Sequence, residues 1–178
     1  MVILKGKSFI LRPFRKGDEA SLQRNINNKR IYKYTLTVPY PYTKKNANDW
    51  IKNCLNDFKN KKRDKVRFAI IKNNEVIGSV GFHDFKIKNQ KHKAELGYWL
   101  TEQYWGKGIM TEAVKLVTKY GFEKLKLKRI YACCFEPNKA SAKVLEKAGF
   151  QYEGKMRKAV IKDGKYYDEL IYAKLKRN

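Results

Sequence analysis

The sequence predicts an α/β (α+β) fold, in which a mixed, mostly antiparallel central sheet carries helices on both faces. Three observations predict it. Strand, helix and strand follow one another through residues 94–135, a crossover that pairs its two strands in parallel. The turn dipeptides Asn73-Asn74 and Asp163-Gly164 each join two strand-like runs, so the flanking pairs are antiparallel hairpins. Two segments, around 47–58 and 110–121, place apolar residues at helical spacing, and such stripes need a sheet face to cover.

Taken in order, Phe9-Ile10-Leu11-Arg12-Pro13-Phe14 reads as a first strand ended by proline, which cannot donate to a ladder. Asp18 is placed to cap a short helix that follows. Pro39-Tyr40-Pro41-Tyr42 forces an extended segment, and Thr43 caps the next helix. There Ala47, Trp50, Ile51, Cys54, Leu55 and Phe58 follow the i, i+3, i+4, i+7 rule without a gap. A basic loop, Lys59 to Lys65, leads into a strand at Val66 to Ile71, and Val76 to Phe82 returns from the turn. Ala94 to Leu100 is the next strand. Gln103 to Gly108 then feeds a helix from Ile109 to Lys124, striped by Met110, Ala113, Val114, Val117 and Gly121. Arg129 to Phe135 is a strand, and Asn138 caps a helix that stops at the left-handed position Gly149. Two strands around Asp163-Gly164 close the chain. The predicted order is β-α-α-β-β-β-α-β-α-β-β. No stretch is rich in Pro, Gly or Ser and no repeat occurs, so residues 1–178 are expected to form one domain.

Composition narrows the function classes. A hydrophobic fraction of 43% and an aromatic fraction of 13% place the chain among globular proteins. Against 17 acidic residues stand 41 Lys and Arg, a formal charge of +24. Such a field attracts polyanions over roughly a Debye length, ~8 Å at physiological salt. RNA, an acidic protein face or a phosphate-bearing small molecule fit it; so does a Lys-rich composition without a partner. Cys54, Cys133 and Cys134 form no disulfide framework, and adjacent cysteines on a strand point to opposite faces. With two histidines and no CxxC, no structural metal is expected. The apolar run in Met1 to Lys7 is too short for a signal peptide, and nowhere do 18 apolar residues follow one another. The expected setting is cytoplasmic and free of membrane. No face reads as an interface, so the oligomeric state is left open.

The segment Gln103 to Thr111 carries the most chemistry. A strand end, glycines at 106 and 108, and a helix start make a natural anion site. Glycines let successive backbone N–H groups turn toward one point, and the helix N-terminus adds its orphan donors and partial charge. Lys107 adds a full charge. The loop is not a P-loop, which needs GxxxxGK followed by Ser or Thr, nor a GxGxxG dinucleotide loop. By itself it reads equally as a phosphate cradle or as a tight turn that needs glycine.

Gln103-Tyr104-Trp105-Gly106-Lys107-Gly108 resembles the Q/R-x-x-G-x-G/A acetyl-CoA motif of the GNAT N-acetyltransferases. Glu95-Leu96-Gly97-Tyr98-Trp99-Leu100 resembles the strand before that motif in the RimJ/RimL branch, the ribosomal-protein alanine acetyltransferase type. Asn138-Lys139-Ala140-Ser141, followed by Glu146-Lys147-Ala148-Gly149-Phe150, resembles the branch's N-x-x-S…E-K-x-G-F segment. Pro39-Tyr40-Pro41-Tyr42-Thr43 and Asp163-Gly164…Asp168 are similar to it as well, so the likeness spans nearly the whole chain in order. The resemblance implies a V-shaped splay between the parallel strands at 94–100 and 129–135. It implies acetyl-CoA as cofactor, its pantetheine arm beside Trp99 and Leu100. Gln103 and the amides of Gly106, Lys107, Gly108, Ile109 and Met110 would hold the pyrophosphate. Asn138 would face the arm, and Ser141 would sit near the sulfur.

Acetyl transfer to an amine needs a neutral amine, donors for the developing oxyanion, and a thiolate that can leave. Holding both reactants in line supplies up to ~7–11 kcal/mol of the barrier. A backbone N–H near Trp99 or Leu100 is the candidate oxyanion donor. Glu95 is the candidate base, a carboxylate at the start of an otherwise apolar strand. It reads almost as well as a solvent-facing or lysine-paired carboxylate. His83 is the second candidate near the acceptor. Many GNAT enzymes place a tyrosine acid seven residues after the equivalent of Asn138; here that position is Leu145. Ser141 is the remaining candidate acid, although a Ser in a first helical turn is ordinary.

The branch typically acetylates protein N-terminal α-amines, ribosomal proteins foremost. An α-amine has a pKa near ~8 against ~10.4 for lysine, so its deprotonation costs less. The positive charge suits a ribosome or its RNA better than a free polyamine. Tyr40 and Tyr42 are candidates to line the acceptor mouth, or else pack on the helix from Thr43. Small-molecule amines such as polyamines or antibiotics stay open as acceptors. So does a non-catalytic basic module that binds RNA or senses acetyl-CoA.

Overall fold

The computed structural model describes residues 2–59, 66–83 and 91–176. The side chains of Phe58 and Lys59 and the rest of the basic loop, residues 60–65, lie outside the described residues; the backbone of Lys59 still belongs to the helix. The strands are β1 (Leu4–Lys5), β2 (Ile10–Arg12), β3 (Val66–Lys72), β4 (Glu75–His83), β5 (Lys93–Leu100), β6 (Arg129–Phe135), β7 (Gln151–Lys162) and β8 (Lys165–Leu175). The helices are α1 (Glu19–Ile26), α2 (Lys29–Lys33), α3 (Lys44–Lys59), α4 (Ile109–Glu123) and α5 (Lys139–Lys147), with a 3-10 turn at Glu102–Tyr104. Among the described residues the strands form one sheet, in the order β1-β2-β3-β4-β5-β6-β8-β7. Every neighbouring pair is antiparallel except β5 with β6. No described helix is long and apolar enough to cross a membrane.

Local chemistry explains most of these boundaries. Asn73 and Asn74 adopt φ of 50° and 61°, and Asp163 and Gly164 φ of 50° and 72°. Both are the left-handed pairs that match the twist of a two-residue hairpin. Thr43 Oγ1 accepts from the Asn46 amide at 3.2 Å, while Asn46 Oδ1 accepts from the Thr43 amide at 2.8 Å. This reciprocal cap fixes the start of α3. Asn138 accepts from the Ser141 amide at 3.2 Å and starts α5, and Gly149 ends it at φ 84°.

Three local features differ from the sequence expectation. The two-residue β1 is too short to show a period. In α2, five residues are held by Asn28, whose side chain accepts from the amides of Arg30 and Ile31. Asp18 stands at the start of α1 but does not cap it. Its carboxylate accepts from both Arg12 Nη atoms, at 2.8 and 2.7 Å, and from the Arg15 amide at 2.9 Å. Arg12 is buried, and a buried guanidinium needs its counter-charge more than a helix needs its cap.

Two cores sandwich the sheet. On one face, Val80, Phe82, Leu96 and Ile130 pack with Met110, Val114 and Val117 of α4 and Leu145 of α5. On the other, Ala69, Ile71 and Val76 pack with Leu22 and Ile26 of α1 and Ala47 and Ile51 of α3. The feature that positions the site lies between β5 and β6. Their parallel pairing covers Lys93↔Arg129, Ala94↔Ile130 and Glu95↔Tyr131, and then stops. Beyond that point β5 stays on β4 as far as Gly78↔Leu100, and β6 stays on β8 as far as Phe135↔Glu169. Each strand follows its outer neighbour, and the expected V-shaped splay opens between Leu96–Leu100 and Ala132–Phe135.

Candidate active site

At the wide end of the splay, β5 runs into the loop that feeds α4. The loop is clamped before its glycines. Thr101 donates its amide to Ile77 O at 2.8 Å, and Trp105 Nε1 donates to Leu100 O at 2.7 Å. Glu102 accepts from Asn28 Nδ2 at 2.8 Å and pairs with Arg30, whose guanidinium lies 4.9 Å from the Trp105 ring centroid. Gly106 and Gly108 then take φ of 74° and 76°, and a Cβ built on either meets nothing within 4 Å. Gly108 is the N-cap of the fifteen-residue α4 and offers no side chain to its first amides. Those donors and the helix dipole face open space, as an anion cradle requires. Ile109 and Met110 bury their side chains in the core, so any contact they make with a phosphate comes from their backbone. Gln103 and Lys107 are exposed beside the glycines, Lys107 Nζ 5.5 Å from the Tyr104 ring centroid.

Alternation along β5 divides its side chains between the two faces. Ala94, Leu96, Tyr98 and Leu100 turn toward α4 and α5. Tyr98 reaches Ser141 at the start of α5, its hydroxyl 2.8 Å from Ser141 Oγ and 3.2 Å from Ser141 O. Burial raises the Tyr98 phenol well above its ordinary pKa, so it stays protonated at any working pH. Cys134 on β6 is buried in the same core, and burial raises its thiol to about 11. Asn138 spends its Oδ1 on the α5 cap. Sequence reasoning missed Tyr98. The period of two held the signal, because Tyr98 alternates with Leu96 and Leu100 on a core-facing row.

The opposite face carries Glu95, Gly97 and Trp99. Glu95 lies in register with His83 of β4 on one side and Tyr131 of β6 on the other. A Cβ on Gly97 would come within 2.4 Å of His83 Nε2, so the imidazole rests on the Gly97 backbone and only glycine admits it there. Trp99 packs against the second core. Cys133 lies on this face as well. Burial first, and then the carboxylates of Glu95 and Glu169, push its thiol up to about 12, so it is no nucleophile.

The structure thus brings Glu95, His83 and Trp99 to one face of the splay. Ser141, Asn138 and the glycine loop come to the other, and the opening between the strands joins the two. Tyr40 stands exposed, its ring 5.9 Å from that of Tyr32. Tyr32 in turn donates to Asp163 Oδ1 at 2.5 Å, which ties α2 to the tip of the β7–β8 hairpin. Tyr42 is placed differently. It is buried in the second core, and its hydroxyl donates to Asn46 O at 3.4 Å. Tyr42 therefore anchors α3 and presents nothing to an acceptor.

An uncapped helix start behind two left-handed glycines thus opens on a gap between parallel strands, a geometry suited to an anion. The chain belongs to the GNAT acetyltransferases: the family described as Acetyltransferase (GNAT) domain matches residues 8–151. Probable N-acetyltransferase YjcK of Bacillus subtilis (strain 168) is 33% identical over 181 residues, 96% of each chain. Uncharacterized N-acetyltransferase YoaA of the same organism is 39% identical over 102 residues, which span 57% of this chain and 56% of that one. Ribosomal-protein-serine acetyltransferase of Escherichia coli (strain K12) is 32% identical over 108 residues, 61% of this chain and 59% of that one. Among solved structures, Microcin C7 self immunity acetyltransferase MccE, in complex with acetyl-CoA and AMP, superposes with a TM-score of 0.83 at 26% identity. That match covers 96% of this chain and 93% of the other. The chain is an acetyl-CoA-dependent N-acetyltransferase.

Proposed function

We propose that the acceptor is a protein N-terminal α-amine, of the ribosomal-protein type, in a cytoplasmic setting. The observation that carries this reading is the end of β5–β6 pairing at Glu95, which leaves a carboxylate at the apex of the splay on the face away from α4 and α5. Acetyl-CoA, when bound, supplies the activated acetyl thioester. The amides of Gly106, Lys107, Gly108, Ile109 and Met110, with Gln103, hold its pyrophosphate, and Asn138 with the backbone of Trp99 and Leu100 holds the arm. Glu95 takes the ammonium proton, directly or through a water, with His83 beside it. An α-amine asks less of that base than a lysine does, by roughly two pKa units. The partial likeness to a ribosomal-protein-serine acetyltransferase supports the same choice. The charge of +24 supports approach to a ribosome, and binding that is independent of salt would count against that part.

Thiol release from acetyl-CoA tests the acceptor, offered as a peptide with a free N-terminus, an N-blocked lysine peptide and spermidine. The free N-terminus is expected to give the highest kcat/KM, by at least about tenfold. Preference for spermidine would move the site to small-amine chemistry.

On the cofactor side, Tyr98 orients Ser141, which gives or shares a proton near the sulfur. Tyr98→Phe and Ser141→Ala are each expected to lower kcat by about tenfold, the size of one lost hydrogen bond. The double variant is expected to lose little more, because the two act as a unit. Fully additive losses would separate their roles.

A further inference from the structure

Glu169 stands on β8 opposite Phe135 of β6, and so shares the face that carries Tyr131, Cys133 and Glu95. It is half-buried, and among the described residues its carboxylate makes no hydrogen bond or ion pair. That is unusual in a chain with 41 Lys and Arg. Its neighbour Asp168 is bonded by Lys155 and the Lys158 amide, and Glu136 and Glu153 each hold a cation. Beside Glu169 the stacked rings of Phe135 and Tyr167, 5.3 Å apart and 12° from parallel, form an apolar wall. Desolvation there raises the Glu169 carboxyl above its ordinary range, and the group has a cation still to gain.

Glu95 and Glu169 lie four positions apart in the register of β6, about 13 Å along the strand. Both nevertheless act electrostatically on Cys133, which lies midway between them. The two carboxylates therefore lie on one face of the sheet, on either side of Cys133, and are too far apart to share a single ammonium. We propose that Glu169 is a positioning residue that holds a second positive charge of the acceptor while the amine to be acetylated sits at Glu95. The substrate class is an amine with another cation a few bonds away: an N-terminus followed by Lys or Arg, or a diamine. This assignment rests on the reading of Glu95 as the acceptor end of the site.

Two acceptor pairs test it. One pair is an N-terminal peptide with Lys at its second position and the same peptide with Gln there. The other is 1,4-diaminobutane and butylamine. For whichever pair turns over, the dicationic member is expected to have a KM about tenfold lower. Glu169→Gln is expected to bring that ratio close to one through KM for the dicationic acceptor, with KM for acetyl-CoA unaltered. Glu169→Asp, which keeps the charge, is expected to restore part of it. Glu123→Gln on the outer surface of α4, a control for overall charge, is expected to keep the full ratio. A ratio that survives Glu169→Gln, or that Glu123→Gln reduces equally, overturns the proposal. Turnover of the diamine pair alone, with the Glu169 dependence intact, keeps this proposal and removes the α-amine reading. Turnover of neither pair removes both.

Discussion

Glu95→Gln is expected to lower kcat by ~10²–10⁴-fold, the loss that accompanies removal of a general base. Glutamine keeps the size of the side chain and its capacity for hydrogen bonds while removing its basicity. Affinity for acetyl-CoA is expected to hold, because the proposed cofactor cradle lies in the loop after β5 and at the start of α4, away from Glu95. The pH profile carries a second expectation. Without an internal base, the rate is set by the fraction of acceptor already neutral, and so climbs until pH passes the amine's own pKa, ~8 for an α-amine. A variant that turns over like the parent at neutral pH would show that Glu95 is not the base. His83, which rests on the Gly97 backbone on the same face, would then be next to test.

Gly108→Val is expected to weaken CoA binding at least tenfold, ~1.4 kcal/mol. Two effects act together. At φ 76° a β-branched residue is strained by ~1–2 kcal/mol, so the loop shifts toward an extended backbone and turns its amides away. Any side chain also occupies the open space above the loop through which a phosphate reaches those amides. Gly108→Asn separates the two, because asparagine tolerates the left-handed region. Loss of affinity in both variants assigns the effect to backbone approach, and loss in the valine variant alone assigns it to strain. Calorimetry that finds unaltered affinity in a folded valine variant would leave Gly108 a turn residue.

The elements that sequence resolved were those with chemical signals at both ends. The predicted span of β6 matches the observed Arg129–Phe135. α5 was bounded by its Asn138 cap and by Gly149, and both hairpin turns announced themselves by residues that accept positive φ. Where the signal was competitive, the reading failed or stayed open. Asp18 has a capping side chain, but Arg12 took it, and that pairing depends on the burial of Arg12 rather than on local sequence. Tyr42 was left open between lining the acceptor mouth and packing on the helix from Thr43, because the proline before it fixes the backbone but not where the next side chain points. It points inward, against α3.

The candidate site divides in the same way. The glycine loop was legible as a conformation, and its glycines do take left-handed φ before a helix start, but by itself it read equally as a phosphate cradle or a tight turn, and only the family likeness pointed it toward acetyl-CoA. The splay was not legible in the residues themselves, and only the family likeness implied it. Nothing in Lys93–Leu100 or Arg129–Phe135 marks Glu95 as the last paired position. That limit arises because β4 and β8 hold the two strands on diverging courses. The contact between His83 and Gly97, and the reach of Tyr98 to Ser141 across 43 positions, are likewise products of register.

The most direct measurement is to incubate the protein with acetyl-CoA and a peptide that has both a free N-terminus and an internal lysine, and to locate the acetyl group by fragmentation mass spectrometry. The expected product carries it on the α-nitrogen, with one free thiol released per acetyl transferred, and forms far more slowly with Glu95→Gln. Acetyl found on the lysine ε-nitrogen, or an untouched peptide while spermidine is consumed, would contradict the account.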